Sequence, residues 1–312
     1  MSSIVHILEK DVEKLWNWDR IFEALETAMK GLSKGSASQG SNSATSIGCQ
    51  SFMVLLPGYI NHEIHGGLSC KLYTVKPNSE ETYVLFLNPE TGAMRAIIQG
   101  NLFTWWRTAA ASLIAAKHLH GVNSGKPNKI LAICGAGNQG RSHALAFQHF
   151  FKFEEIRIWN RTSQRAKDLV EQLNKEMNSQ AFVAANSVES CVKNADMIVC
   201  ATPGNETIVR FPWIKPGAHV TAIGVFPNRF ELDTDIYKRG KVYVDSMTNA
   251  KKKLKHIEDL GVEFQGEIGD VINEAPCTTD LNTITVFQSL GMGVEDCAVA
   301  RVIYDAYMKN RL

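Results

Sequence analysis

An α/β fold, a doubly wound parallel sheet joined to a second domain of mixed α+β type, is predicted from three features of this 312-residue sequence. Short apolar runs alternate with helical patterns from about residue 129 to residue 245, which implies a parallel sheet covered on both faces. Between residues 52 and 100 the runs follow one another through turn signals instead, as in an antiparallel meander. The third feature is GAGNQG, Gly135 to Gly140, set between the first alternating run and a helical stretch. That placement makes G-x-G-x-x-G a dinucleotide-binding turn of the Rossmann type.

Residues 4 to 32 read as a strand followed by an amphipathic helix, because Ile21, Leu25, Ala28, Met29 and Leu32 recur at helical spacing. Glycines from Gly31 to Gly35 stop it. Ser33 to Ser46 is rich in Ser and Gly and is expected to be a loop, free or lying over a site. FMVLLP, GLSCKLYTV, TYVLFLN and AMRAIIQG form the meander, with Asn88 to Gly92 as a hairpin loop. Asn101 to His120 reads as a long helix whose alanines permit close packing, and Gly121 ends it. The parallel strands are expected at Lys129–Cys134, Glu155–Trp159, Ala181–Ala184, Met197–Ala201, His219–Ile223 and Val242–Asp245. Val294 to Met308 is helical again and returns to the first domain. The expected division is therefore residues 1–120 completed by 291–312, with 121–290 as the dinucleotide domain. KKKLK, Lys251 to Lys255, reads as a solvated basic face.

The dinucleotide turn carries its own chemistry. Gly135 makes the tight turn, Gly137 lets the backbone approach a pyrophosphate, and Gly140 lets helix pack on strand, while Ala136, Asn138 and Gln139 complete the cradle. The helix N-terminus then faces the phosphate charge. A NAD-preferring site ends its second strand in an acid that accepts the ribose hydroxyls, but here EIRIW runs into Asn160, Arg161 and Thr162. Arg161 attracts a 2′-phosphate, and Asn160, Thr162 and Arg165 can donate to it, so NADP(H) is the expected cofactor. Thr202, Pro203, Ile223 and Gly224, at the carboxyl ends of later strands, join the cofactor set because such ends line the ligand crevice.

Composition excludes other classes. Apolar residues make up 45% and charged residues 21%, the mix of an ordinary soluble globular protein. A net charge of +1 offers no basic field for a nucleic-acid backbone. Charges interrupt the N-terminal apolar stretch, and no run approaches the roughly 18 apolar residues of a membrane span, so neither a signal peptide nor a membrane partner is expected. Seven cysteines, odd in number and without a C-x-x-C pair, argue for a reducing cytoplasm and against disulfides or structural zinc. No metal site is expected.

Over nearly its full length the chain resembles the ornithine cyclodeaminase/mu-crystallin family, and most closely its mu-crystallin branch of ketimine reductases. The strings that carry the likeness are GNLFTWWRTAAAS, GAGNQG, RIWNRT, WIKPGAHV, FELD, YVDS, GEIGDVI and FQSLGMGVED. The resemblance implies an N-terminal substrate-binding and dimerisation domain, a homodimer, and NADPH gripped by WNRT. It places Lys71 and Arg107 at the catalytic centre, where both also bind substrate, and adds Arg107, Thr108 and Ser289 to the cofactor contacts. A fixed arginine suits a carboxylate or phosphate, and a buried lysine can deliver a proton to an imine.

Two departures bear on substrate. The family's carboxylate-clamping arginine is represented by Asn42, with no arginine between Arg20 and Arg95. Where cyclodeaminases carry a catalytic aspartate, this chain has Val225 and Phe226, and Arg229 is the candidate replacement clamp. The expected reaction is NADPH-dependent reduction of a cyclic ketimine or related imine. The alternatives are an ornithine cyclodeaminase or alanine dehydrogenase-like enzyme acting on amino acids, and an NADPH-dependent carrier of iodothyronines or crystallin-like structural protein with little catalysis.

Overall fold

The computed structural model describes residues 4–40, 42–47, 51–76, 79–121, 128–203, 206–224, 230–274 and 281–311. The chain begins with β1 (Val5–Ile7), α1 (Glu9–Leu15) and α2 (Trp18–Lys34), then β2 (Ala37–Ser38), β3 (Ser43–Ser46), β4 (Phe52–Ile60), β5 (Gly67–Lys76), β6 (Ser79–Leu87), β7 (Met94–Gln99) and α3 (Asn101–Ala116). A parallel-sheet succession follows: β8 (Ile130–Cys134), α4 (Asn138–Phe151), β9 (Glu155–Trp159), α5 (Ser163–Glu176), β10 (Phe182–Ala184), α6 (Val188–Val192), β11 (Met197–Cys200) and β12 (His219–Ala222). After it come α7 (Thr234–Arg239), β13 (Lys241–Val244), α8 (Met247–Lys253), α9 (Lys255–Glu258), β14 (Phe264–Glu267), α10 (Ile268–Asn273), β15 (Thr285–Gln288) and α11 (Gly293–Lys309). Two compact units result, Met1–Ala111 with Gly291–Leu312, and Ser112–Leu290. The first division falls inside α3. Gly121 marks where the helical pattern stops, whereas packing is decided by which neighbours each turn of the helix meets.

In the first unit the sheet order is β1-β7-β6-β5-β4-β2, with β3 also paired to β4. The meander is antiparallel as expected, and β1 adds a parallel edge to β7. The expected Ser33–Ser46 loop is corrected: α2 runs to Lys34, and β3 pairs with β4 from Ser43 opposite Leu55 to Ser46 opposite Phe52. Backbone hydrogen bonding along an exposed edge explains how a Ser-rich run without a buried apolar face becomes a strand. On one face of the sheet Val54, Leu56, Val84, Phe86 and Ile98 are buried, and α11 packs there against β4, β5 and α2. Trp16, Trp18, Phe103 and Trp106 add an aromatic cluster with edge-on and tilted contacts at 5.1–6.5 Å.

The second unit holds an eight-stranded sheet in the order β10-β9-β8-β11-β12-β15-β13-β14, parallel throughout. β9 and β10 lie to one side of β8 and β11 to the other, so the order reverses between β8 and β11, the place where such sheets bind ligands. β14 and β15 are additions to the strands expected from sequence. β15 (TVFQ) is short and fully buried between β12 and β13, so it lacks the polar-apolar alternation that announces a strand. The core of this unit contains Ile198, Val220, Val242 and Val286, each with no exposed surface. No helix among the described residues is long and apolar enough to cross a membrane.

Candidate functional site

In the second unit the glycine turn sits at the carboxyl end of β8. Gly135 has φ +124°, and a Cβ there would strike the Ala201 carbonyl of the adjacent strand end. A Cβ on Gly140 would strike the Gly135 carbonyl, so the last glycine lets α4 close onto the turn. Gly137 differs: a Cβ added there would meet nothing within 4 Å. The backbone at the N-terminus of α4 is therefore open to a ligand, and its first turn carries no acid. These features fit a pyrophosphate.

Beside the turn lies a cleft of about 140 Å³ lined by Trp159, Asn160, Arg161, Thr162, Arg165, Thr202, Pro203, Glu206 and Ile208. The four residues that the strand-end argument singles out, Asn160, Arg161, Thr162 and Arg165, thus share one wall. Arg161, Thr162 and Arg165 are exposed, and no described side chain engages either guanidinium. Asn160 is already committed within the protein, because its Oδ1 accepts from the Ala136 N–H at 3.1 Å and its Nδ2 donates to the Thr162 carbonyl at 3.0 Å. It ties the turn to β9, so direct phosphate donation falls chiefly to the arginines. Thr202 is likewise occupied, since Glu231 accepts from its N–H at 2.9 Å and its hydroxyl at 2.6 Å. The other Glu231 oxygen accepts from the Gly224 N–H at 2.7 Å, so one buried carboxylate staples the ends of β11 and β12. Burial raises the Glu231 pKa, opposed by those same hydrogen bonds. Nothing in the FELD string by itself signals this role, which depends on two strand ends far from it in sequence. Ile223 and Ser289 are held by backbone bonds, Ile223 N–H to Cys200 O at 3.2 Å and Ser289 N–H to Ala222 O at 3.0 Å.

His143, one turn into α4, is fully buried. Its Nδ1 meets the Gln139 carbonyl at 2.7 Å and its Nε2 the Ser112 Oγ at 2.9 Å. Desolvation lowers its pKa to about 4, so the ring is neutral and fixes the first turn of the helix.

The first unit holds the other candidate residues. Along β5 the inward positions are Gly67, Ser69, Lys71 and Tyr73, which puts Lys71 opposite Leu56 and Val84 on the face that α11 covers. An ammonium buried there needs a counter-charge, and α11 supplies it from its first turn. Lys71 Nζ lies 3.1 Å from Asp296 Oδ1 and 3.0 Å from Oδ2. Arg107, on α3, donates through Nε to the same Oδ1 at 3.0 Å and through Nη1 to Glu295 Oε2 at 3.0 Å. The side chains are 3% exposed for Lys71, 6% for Arg107 and 0% for both acids, so little surface of this cluster is reachable.

Glycines permit that geometry. A Cβ on Gly58 would strike the Gly293 carbonyl, so the start of α11 lies directly on β4, and Gly291, at φ +74°, lets the Arg107 guanidinium rest on its backbone. Burial and the Arg107 charge lower the Lys71 pKa to about 8, while Asp296 and Glu295 hold it up. Tyr73 shares the setting and its pKa is raised by burial.

Lys71 and Arg107 are expected from sequence, whereas Glu295, Asp296 and Tyr73 are not. Two adjacent acids opening an apolar helix are the available signal, and helix N-termini favour acids anyway, which hides them. Arg107, expected to meet a substrate carboxylate or a cofactor phosphate, has its Nε and Nη1 engaged by Asp296 and Glu295 within the protein. The Thr108 hydroxyl donates to the Thr104 carbonyl at 2.8 Å, within its own helix. Asn42 is half-buried beside β3. Val225, Phe226 and Arg229 lie outside the described residues. Among the described residues no group of three or more His, Cys, Asp or Glu could hold a metal ion.

Known proteins share this fold. The family model for ornithine cyclodeaminase/mu-crystallin matches residues 4–311. A ketimine reductase mu-crystallin from Macropus fuliginosus is 34% identical over 316 residues, covering 97% of each chain. Among solved structures, the Δ1-pyrroline-2-carboxylate reductase of Thermococcus litoralis, in complex with NADH and L-proline, superposes with a TM-score of 0.90 at 24% identity, covering 99% of each chain. An archaeal alanine dehydrogenase dimer with bound NAD gives 0.89 at 23%, covering 99% of this chain and 97% of that one. The chain belongs to the ornithine cyclodeaminase/mu-crystallin family.

Proposed function

We propose that this protein reduces a cyclic ketimine or related imine carboxylate with NADPH. The observation that carries the reading is Lys71, a buried ammonium bonded to Asp296 at 3.1 Å, whose pKa burial and the neighbouring Arg107 charge lower to about 8. A general acid works best when its pKa lies near the working pH, and an imine nitrogen needs one proton for each reduction. The relative from Macropus fuliginosus, named a ketimine reductase, supports the same chemistry. When bound, the nicotinamide supplies the hydride that the imine carbon accepts.

The residues divide the remaining work. Gly137 and the start of α4 receive the pyrophosphate, and Arg161 with Arg165 receives a 2′-phosphate, which favours NADPH over NADH. Lys71 delivers its proton to the imine nitrogen. Arg107, fixed in place by Glu295 and Asp296, is the cation assigned to orienting the substrate carboxylate. Arg229 remains the candidate for the clamp that Asn42 does not provide.

We propose a homodimer built on the other face of the first unit's sheet, in support of which that face is apolar. Leu55, Leu68, Leu72, Leu85 and Ile97 project there, each partly exposed, so one broad apolar face awaits a second copy of the chain. The free thiols of Cys134, Cys191 and Cys200 suit a reducing cytoplasm.

The test is NADPH oxidation with piperideine and pyrroline carboxylates, with ornithine, lysine and alanine as amino-acid controls. Turnover with the imines and its loss in Lys71→Met are expected. No turnover across the panel, in protein that binds NADPH, refutes the reading. Tight iodothyronine binding in that inert protein would favour the carrier instead.

A further inference from the structure

Asp296 occupies a position unlike any other carboxylate among the described residues. It has no exposed side-chain surface, its two oxygens lie within 3.1 Å of Lys71 Nζ, and one of them is shared with Arg107 Nε. Its backbone sits in the first turn of α11, where Gly58 and Gly293 allow the helix to rest on β4. Glu295, its neighbour, bonds Arg107 Nη1 instead and accepts from the Met292 N–H at 3.2 Å. The two acids therefore have different duties.

We propose that Asp296 is a positioning residue that keeps Lys71 charged and fixes the direction of its ammonium, so that the lysine is loaded with a proton when substrate arrives. Removing a single partner of a buried ion pair strands the other charge in a medium that solvates it poorly. Lysine escapes that cost by losing its proton. Asp296 prevents the escape, and by bonding Arg107 with the same oxygen it also sets the spacing of the two cations. The other charged groups acting on Lys71 do not substitute: Arg107 on α3 opposes its charge and Glu295 exerts a weaker pull. Of the titratable neighbours around it, Tyr73 on the same face of β5, Cys70 on the opposite face and Cys297 beside Asp296 are neutral, with pKa values raised by burial. During reduction the proton moves from Nζ to the imine nitrogen, the Nζ–H bond breaks as the new N–H bond forms, and Lys71 is left as an amine that regains its proton from water.

The catalytic meaning of this inference rests on the imine-reductase reading, so its test is first a titration that needs no substrate. In protein carrying lysine labelled with carbon-13 at Cε, the Lys71 resonance is assigned by its absence in Lys71→Met and followed against pH. The expected wild-type midpoint is about 8. Asp296→Asn lowers it by about one unit or more, and Glu295→Gln lowers it by less. Asp296→Glu keeps the charge on a longer arm, so the midpoint stays within about half a unit while kcat for imine reduction falls about tenfold or more. The alkaline limb of kcat/KM follows the titration in each variant.

An unchanged midpoint in Asp296→Asn, or a Glu295→Gln shift as large as that of Asp296→Asn, overturns the proposal. If Asp296→Asn does not fold, Asp296→Glu decides: a shifted midpoint or an undiminished kcat overturns it. Absence of turnover with the expected titrations would count against the reductase reading alone.

Discussion

Reversing the charge at Arg161 is the sharpest test of cofactor choice. Arg161 is exposed at the end of β9, lines the cleft beside the glycine turn and is engaged by no described side chain, so Arg161→Asp disturbs little of the fold. At 4 Å in water, two unit charges interact by about 1 kcal/mol, and a 2′-phosphate carries close to two negative charges, so the native attraction is about 2 kcal/mol. An aspartate turns that into a repulsion of similar size. The total change is about 4 kcal/mol before screening and side-chain relaxation, and about 2–3 kcal/mol after them, or roughly 30- to 150-fold in affinity. NADH lacks the phosphate and should change by about threefold or less, with the aspartate able to accept from its ribose hydroxyls. Fluorescence titration of both reduced cofactors against both proteins measures the four dissociation constants. Equal losses for NADPH and NADH would refute the phosphate role of Arg161.

Other outcomes follow from the same geometry. Gly137→Val should leave the melting temperature within about 2 °C, because the site is open, yet weaken NADPH by about tenfold or more; Gly140→Ala should show the reverse emphasis, a loss of stability of about 2 kcal/mol or more. A Gly137 variant that binds normally would remove the pyrophosphate from that spot. His143→Ala should cost about 2–4 kcal/mol in urea unfolding, from the cavity and from the Ser112 hydroxyl it leaves without its ring partner. In the native protein the His143 pKa of about 4 lies below that of the unfolded chain, so acid first protonates the unfolded form, and stability is lost as pH falls from about 6.5 towards 4. The variant should lack that part of the acid sensitivity. For Lys71 the folded pKa of about 8 lies below the unfolded value near 10.4, so the unfolded chain holds more protons in that window and stability rises with pH across it. Unfolding of wild type and Lys71→Met at pH values of about 7.5 and 10 should show a smaller rise in the variant, and identical rises would mean that Lys71 titrates normally.

The parallel strands from β8 to β13 are legible because each is a short apolar run bounded by turn residues, and GAGNQG announces where the sheet reverses. β15 is not, since a fully buried four-residue strand has no alternation. Ser43–Ser46 misleads for the converse reason: a strand fixed by edge pairing needs no apolar face. Within the site, Lys71 and Arg107 are reached through the family resemblance, which places them at the catalytic centre. Asp296 lies 225 residues from Lys71 and 189 from Arg107 along the chain, a separation that no local pattern reports.

Local sequence was enough for the α/β class, the dinucleotide turn and the phosphate-suited triplet after β9, because each depends on residues within a few positions of one another. What Lys71 and Arg107 are bonded to emerged only from long-range packing. Burying two cations is costly unless carboxylates meet them at hydrogen-bond distance, and it is the close approach of α11 to β4, through Gly58 and Gly293, that brings Glu295 and Asp296 there. Folding also gives Asn160, Thr202 and Thr108, expected as cofactor contacts, hydrogen bonds within the protein.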